Sequence, residues 1–158
     1  MAEGVKMKLG ELLMQRADLN KRIGQVEARL KEAVLVQEGD DPDGDPTELL
    51  TELNGLYDQM GTIVSAVNGV NATATMQDGT PLGEALLLRN MLGKRIKSYQ
   101  QVIGAASSNN MSRYSRNEIK FVKTVDLVAL QKHLDSLSRQ HRDLDVEIQQ
   151  RNWELEIS

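Results

Sequence analysis

Residues 9–23 read LGELLMQRADLNKRI, and residues 82–96 read LGEALLLRNMLGKRI. The two align without a gap, and nine of fifteen positions are identical: Leu9/Leu82, Gly10/Gly83, Glu11/Glu84, Leu13/Leu86, Arg16/Arg89, Leu19/Leu92, Lys21/Lys94, Arg22/Arg95 and Ile23/Ile96. Any two amphipathic helices share apolar positions. Shared Gly, Glu, Arg and Lys in a fixed register are a stronger mark of duplication. A weaker match joins Leu49, Leu53, Leu56, Gln59 and Asn71 to Leu130, Leu134, Leu137, Gln140 and Asn152.

Outward from these stretches, apolar residues recur every three or four positions along four seams. The first is Leu9, Leu12, Leu19, Ile23, Val26, Leu30 and Ala33, with Arg16 in one slot. The second is Leu49, Leu53, Leu56, Met60, Ile63, Val67 and Val70. The third is Leu82, Ala85, Leu92, Ile96, Tyr99, Ile103 and Ala106, with Arg89 in one slot. The fourth is Leu127, Leu130, Leu134, Leu137, Leu144, Ile148 and Leu155, with His141 and Arg151 in two slots. This period belongs to long amphipathic helices, not to strands. Glycines at positions 24, 55, 61, 69 and 93 interrupt these runs. Each costs about 1 kcal/mol against Ala, and is either a tolerated loss or a mark of close helix approach.

Three breaks separate the helices. Residues 37–46, QEGDDPDGDP, form a turn rich in Gly, Pro and Asp. Asp45 is placed to cap the second helix, with Pro46 at its first position and Glu48 completing a capping box. The second break carries the tight-turn pair Asp78-Gly79, with Thr80 and Pro81 as cap and first position of the third helix. The third break, residues 107–124, contains a short extended segment near 118–125, EIKFVKTV, and Thr124 as a cap for the last helix.

The expected fold is therefore all-α: four long amphipathic helices as two repeated antiparallel αα-hairpins. The pseudo-repeats cover 9–74 and 82–155 within a single helical domain, 1–158. One hairpin cannot cover its own apolar stripe, so two should close as a four-helix bundle or antiparallel coiled coil, within one chain or between two.

Composition narrows function mainly by exclusion. The 158 residues include no cysteine, so disulfide and thiolate chemistry are absent. That suits a reducing, cytoplasmic setting. The net charge of −4 gives no general support for nucleic-acid binding. No run has the length of a membrane span, and residues 1–8 lack a signal-peptide core. There is no Glu-x-x-His pair of di-iron bundles, no phosphate-binding Gly loop and no convincing nucleophile–base pair. We expect no catalytic residue and no cofactor.

Three clusters remain as candidates. Arg16 and Arg89 hold equivalent slots on their seams, and hairpin geometry brings His141, Asp145 and Glu147 within reach of Arg89. The set reads as a buried polar layer fixing register in preference to an anion pocket. Glu38, Asp40, Asp41, Asp43, Asp45 and Glu48 crowd the first break. Their spacing departs from a calcium loop, and a solvated turn is preferred to a metal site. The third break holds Arg113, Tyr114, Arg116, Lys120, Phe121 and Lys123, basic residues interleaved with aromatics. That pattern can grip phosphates and stack on a base. It can equally face the acidic turn, within a subunit or across a dimer interface.

Several stretches together resemble a known family: KLGELLMQRADLNKRI, VQEGDDPDGDPTELLTEL, the Asn-Ala-Thr and Asp-Gly-Thr turn region, RYSRNEIKFVKTVDLVALQK and the Asn152-Trp153 ending. The family is that of small bacterial septicolysin-like proteins, a domain of unknown function. The resemblance implies a bacterial helical protein and supplies no catalytic residues. Its name suggests a cytolysin, which the scarcity of interfacial aromatics does not support. The leading expectation is a non-enzymatic helical protein acting by self-association, as a homo-oligomer, or through a protein partner. The alternative is nucleic-acid or phosphate-ligand binding through residues 113–123. A metal-dependent hydrolase or a membrane-acting cytolysin ranks below both.

Overall fold

Local signals set where three of the four helices of the described residues begin. Asp45 accepts a hydrogen bond from the Thr47 backbone N–H at 2.8 Å, and Pro46 opens the helix behind it. Asp126 accepts one from the Ala129 N–H at 3.1 Å. The Lys8 N–H donates to Glu11 Oε2 at 3.0 Å. These bonds satisfy amides that a first helical turn leaves orphaned. In the computed structural model, which describes residues 6–108 and 121–157, the elements are β1 (Met7–Lys8), α1 (Leu9–Ala33), α2 (Pro46–Thr73), α3 (Leu82–Ser107), α4 (Leu127–Glu154) and β2 (Glu156–Ile157).

Over the described residues the protein is all-α, with four long helices and a two-stranded antiparallel ribbon pairing Met7 with Ile157 and Lys8 with Glu156. Three expected starts differ. Asp126, not Thr124, caps the last helix. Glu48 makes no hydrogen bond that closes a capping box at Asp45. The third helix begins at Leu82, because Pro81 is held outside it in a β-bridge with Thr75. Of the segment expected to be extended, 118–120 lies outside the described residues, and 121–124 is neither helix nor strand.

The described chain divides into two compact units. One is Met1–Pro81 with Gln149–Ser158; the other is Leu82–Ile148. The last turns of α4 thus belong with the first hairpin, although the repeat assigns them to the second.

In the first unit α2 runs back along α1. The Arg29 guanidinium lies beside Gly44, just before α2, and Tyr57, farther along α2, donates to Glu27 at 3.1 Å. Between the helices lies an apolar cluster of Leu19, Ile23, Val26, Ala33, Leu49 and Leu56, flanked by Leu30, Leu53, Met60 and Ile63. These are seam residues, and burying each large one yields roughly 1.5–3 kcal/mol. In the second unit α3 and α4 are antiparallel. Arg89 meets Asp145, Gly93 meets His141, and Tyr99 stacks on His133 with ring centroids 5.4 Å apart.

Equivalent repeat positions share their environments at most of the compared sites. Leu9 and Leu82, Leu12 and Ala85, and Leu19 and Leu92 are all buried, and Arg16 and Arg89 are both half-buried. Gly10 and Gly83 break the pattern, being buried and exposed respectively.

Truncating a seam residue should be costly and truncating an off-seam neighbour should not. Leu56, 2% exposed, is expected to lose roughly 2–5 kcal/mol as Leu56→Ala. Leu50, 47% exposed, should lose well under half of that as Leu50→Ala. Urea unfolding of the two variants checks this, and equal losses would contradict the assigned seam.

Candidate functional site

Four of the five residues of the expected polar layer are half-buried, and none is fully buried. Arg89 Nη1 donates to Asp145 Oδ1 at 2.7 Å, with the two side chains 29% and 41% exposed. The His141 ring lies one helical turn away, against Gly93. Glu147 is exposed, and Arg16 makes no ion pair among the described residues. The structure therefore joins Arg89 to Asp145 and places His141 beside them. It joins neither Arg16 nor Glu147 to the set. Partial exposure limits such a pair to about 1 kcal/mol or less, enough to bias register but not to form an enclosed anion pocket.

Of the basic segment, Arg113, Tyr114, Arg116 and Lys120 lie outside the described residues. Phe121 and Lys123 are exposed. In the acidic turn Asp45 is engaged as a cap, and among the described residues no three His, Cys, Asp or Glu side chains converge as metal ligands. No helix among them is long and apolar enough to cross a membrane. A shallow cleft beside α1 is lined by Arg22, Gln25, Val26, Ala28, Arg29 and Glu52, with Arg22 and Glu52 loosely paired at 3.9 Å.

The richest constellation is one that sequence reasoning misses. It is a clasp at the two ends of the first unit. Trp153, the only Trp, lies flat against Gly10; a Cβ there would fall 2.7 Å from the indole. The Leu9 N–H donates to the Leu155 carbonyl at 3.0 Å. Lys8 Nζ donates to Glu156 Oε1 at 2.7 Å, and Lys6 Nζ lies 3.7 Å from Glu156 Oε2. Arg151 Nε donates to the Thr75 carbonyl at 2.6 Å, and its Nη1 to Glu154 Oε2 at 3.3 Å. Gln77 and Gln150 donate to the same Glu154. Asn152, between Arg151 and Trp153 in sequence, is buried. The available signals are a glycine in the first turn of a helix and a lone Trp near the chain's end. The five helix glycines singled out from the sequence give no such contact. A Cβ at Gly24, Gly55, Gly61 or Gly69 would meet nothing within 4 Å, and one at Gly93 would touch His141 at an ordinary 3.7 Å.

A family model described as a family of unknown function, DUF6847, matches residues 16–157. The chain belongs to that family. A solved structure, described as a functionally unknown conserved protein from Corynebacterium diphtheriae, is 35% identical. The alignment covers 97% of this chain and 99% of that one, with a TM-score of 0.84. No curated protein matches the chain. The corynebacterial structure thus shares the fold of this DUF6847 chain, and neither description assigns an activity.

Two carboxylates of the clasp sit below the usual carboxylate range. Hydrogen bonding from Gln77, then from Arg151 and Gln150, lowers Glu154, and the hydrogen bond and charge of Lys8 lower Glu156. A carboxylate depressed in the folded state contributes stability above its unfolded value. That contribution is lost as pH falls through the lowered folded value. The clasp should therefore loosen on the acid side of the ordinary value of 4.5. The readout is Trp153 emission, expected to shift red and become more quenchable before helical circular dichroism falls; coincident transitions would contradict a separate clasp. At neutral pH, Gly10→Ala should produce the same emission shift. Displacing the indole by overpacking costs about 1–3 kcal/mol, offset by up to about 1 kcal/mol of helix propensity.

Proposed function

We propose that this protein is a non-catalytic helical module that acts by association with a second copy of itself. The observation supporting this reading is a pair of exposed apolar runs beside opposite charges. Val34, Leu35 and Val36 follow the end of α1, with Leu35 85% exposed, and lead into the acidic turn holding Glu38, Asp40, Asp41 and Asp43. Phe121 and Val122 precede α4, with Val122 84% exposed, and are followed by Lys123. Leaving such side chains in water forfeits their burial energy, and contiguous apolar surface rimmed by charge favours a protein contact. In a two-fold pair, the Val34–Val36 run of one copy meets the Phe121–Val122 run of its partner twice over. The absence of cysteine fits a reducing compartment as the setting.

The septicolysin-like label is not carried into this reading, since the matched family and the corynebacterial protein are both described as of unknown function.

Size-exclusion chromatography with light scattering is expected to give a dimer at tens of micromolar. Leu35→Asp and Val122→Asp should each shift it to the monomer mass without loss of helical signal. A strict monomer for the unsubstituted chain at that concentration would overturn the reading.

A further inference from the structure

The chain makes the same closure twice, and only one of the two is tied covalently. Thr75 bridges Pro81 across a tight turn, in which Gly79 has φ +88° and the Met76 N–H donates to the Thr80 carbonyl at 2.7 Å. Lys8 pairs with Glu156. In the internal alignment Lys8 corresponds to Pro81, and Glu156 to Thr75. The residue entering the first helix of one repeat thus pairs, in both places, with a residue just past the second helix of the other repeat. The Thr75–Pro81 closure joins residues a few positions apart, so it always forms within one chain. The Lys8–Glu156 closure joins residues 148 apart in sequence, and no turn enforces it. Non-covalent bonds alone hold it.

Most of the side chains involved are exposed or half-buried. Lys8 and Glu156 are accessible, Trp153 is 47% exposed, and Arg151, Leu155 and Ile157 are half-buried. The seat consists of Lys6 and Lys8, the side-chain-free Gly10 and the Thr75 carbonyl. It recognises charge, a flat indole and a guanidinium, and these are identical on every copy of the chain. We propose that the terminal clasp is exchangeable: the segment Gln149–Ile157 of one copy seats on Met7–Gly10 and Thr75 of a second copy, replacing that copy's own segment. Every bond given up within a chain is re-formed between chains, so the equilibrium depends on concentration and not on any new interaction. The occupant is fixed by charge, with Glu156 brought to Lys6 and Lys8, and by the notch at Gly10 that admits a Trp ring and no Cβ. The inference does not rest on the Val34–Val36 and Phe121–Val122 contact and uses none of its residues.

The lack of native cysteine gives a direct test. Lys8 and Glu156 face each other across the ribbon, a pairing whose Cβ separation of about 4.5–5.5 Å approaches disulfide geometry. Lys8→Cys and Glu156→Cys are made in separate chains, mixed at high concentration and oxidised slowly, all in the Leu35→Asp background. The expected product is a disulfide-linked heterodimer in several-fold excess over either homodimer, and dilution before mixing should abolish it. A Lys8→Cys/Glu156→Cys chain, oxidised when dilute, should close within itself and report that the clasp is intact. Heterodimer no more abundant than the homodimers, with that internal cross-link complete, would overturn exchange. Because Leu35→Asp is present throughout, failure of the proposed association leaves this result unchanged.

Discussion

A long amphipathic helix is unstable until something covers its stripe, and that requirement shapes the chain. Along α1 and α2 the stripes cover one another, building a cluster from Leu19 through Ala33 on one side and Leu49 through Ile63 on the other. The acidic turn reverses the chain between them, with Gly39 and Gly44 at positive φ where side-chain-bearing residues would be strained. The second hairpin meets the same requirement with a more polar seam. Where Met60 stands in α2, the repeat places His141 in α4, and where Val26 stands in α1 it places Tyr99 in α3. Its helices accordingly meet through an ion pair, a histidine against a glycine, and an aromatic stack.

Helices and seams are legible in the sequence because burial imposes a period on it, and the period survives duplication. Leu9, Leu19, Ile23, Leu56, Leu92 and Ile148 all fall where their spacing puts them. Helix starts are less legible, because capping is a contest among nearby polar groups. Asp126 prevails over Thr124, lying closer to the first turn and offering a carboxylate to the Ala129 amide. Pro81 departs from its expected place for a different reason: its role is set by Thr75 across a turn, which no local rule sees. The clasp is invisible in the sequence because its partners lie at opposite ends of the chain. Lys8 and Glu156 are ordinary surface residues in sequence, and Gly10 is one helix glycine among several until the fold brings Trp153 against it.

Among the described residues the polar groups divide between register and closure. Arg89 and Asp145 steady one hairpin at half-exposed positions. Arg151, Glu154 and Gln77 tie the end of α4 to the turn that follows α2. Neither group encloses a volume in which a small molecule would be stripped of water. Large exposed apolar side chains lie both beside helix ends, as Leu35 and Val122, and along helices, as Leu87 and Leu88. The similarity to the corynebacterial structure extends over almost the full length of both chains.

The duplicated bridge also bears on how a gene can spell this fold. Thr75 reaches Pro81 through the Met76–Thr80 turn, and Glu156 reaches Lys8 with no turn at all, yet both pairs occupy one position in the repeat. Transplanting a Met76–Thr80 turn between Glu156 and Lys8 and opening the peptide within that original turn would give a chain reading α3, α4, α1, α2. Its backbone pairings would be those already present, with the covalent tie moved from one closure to the other.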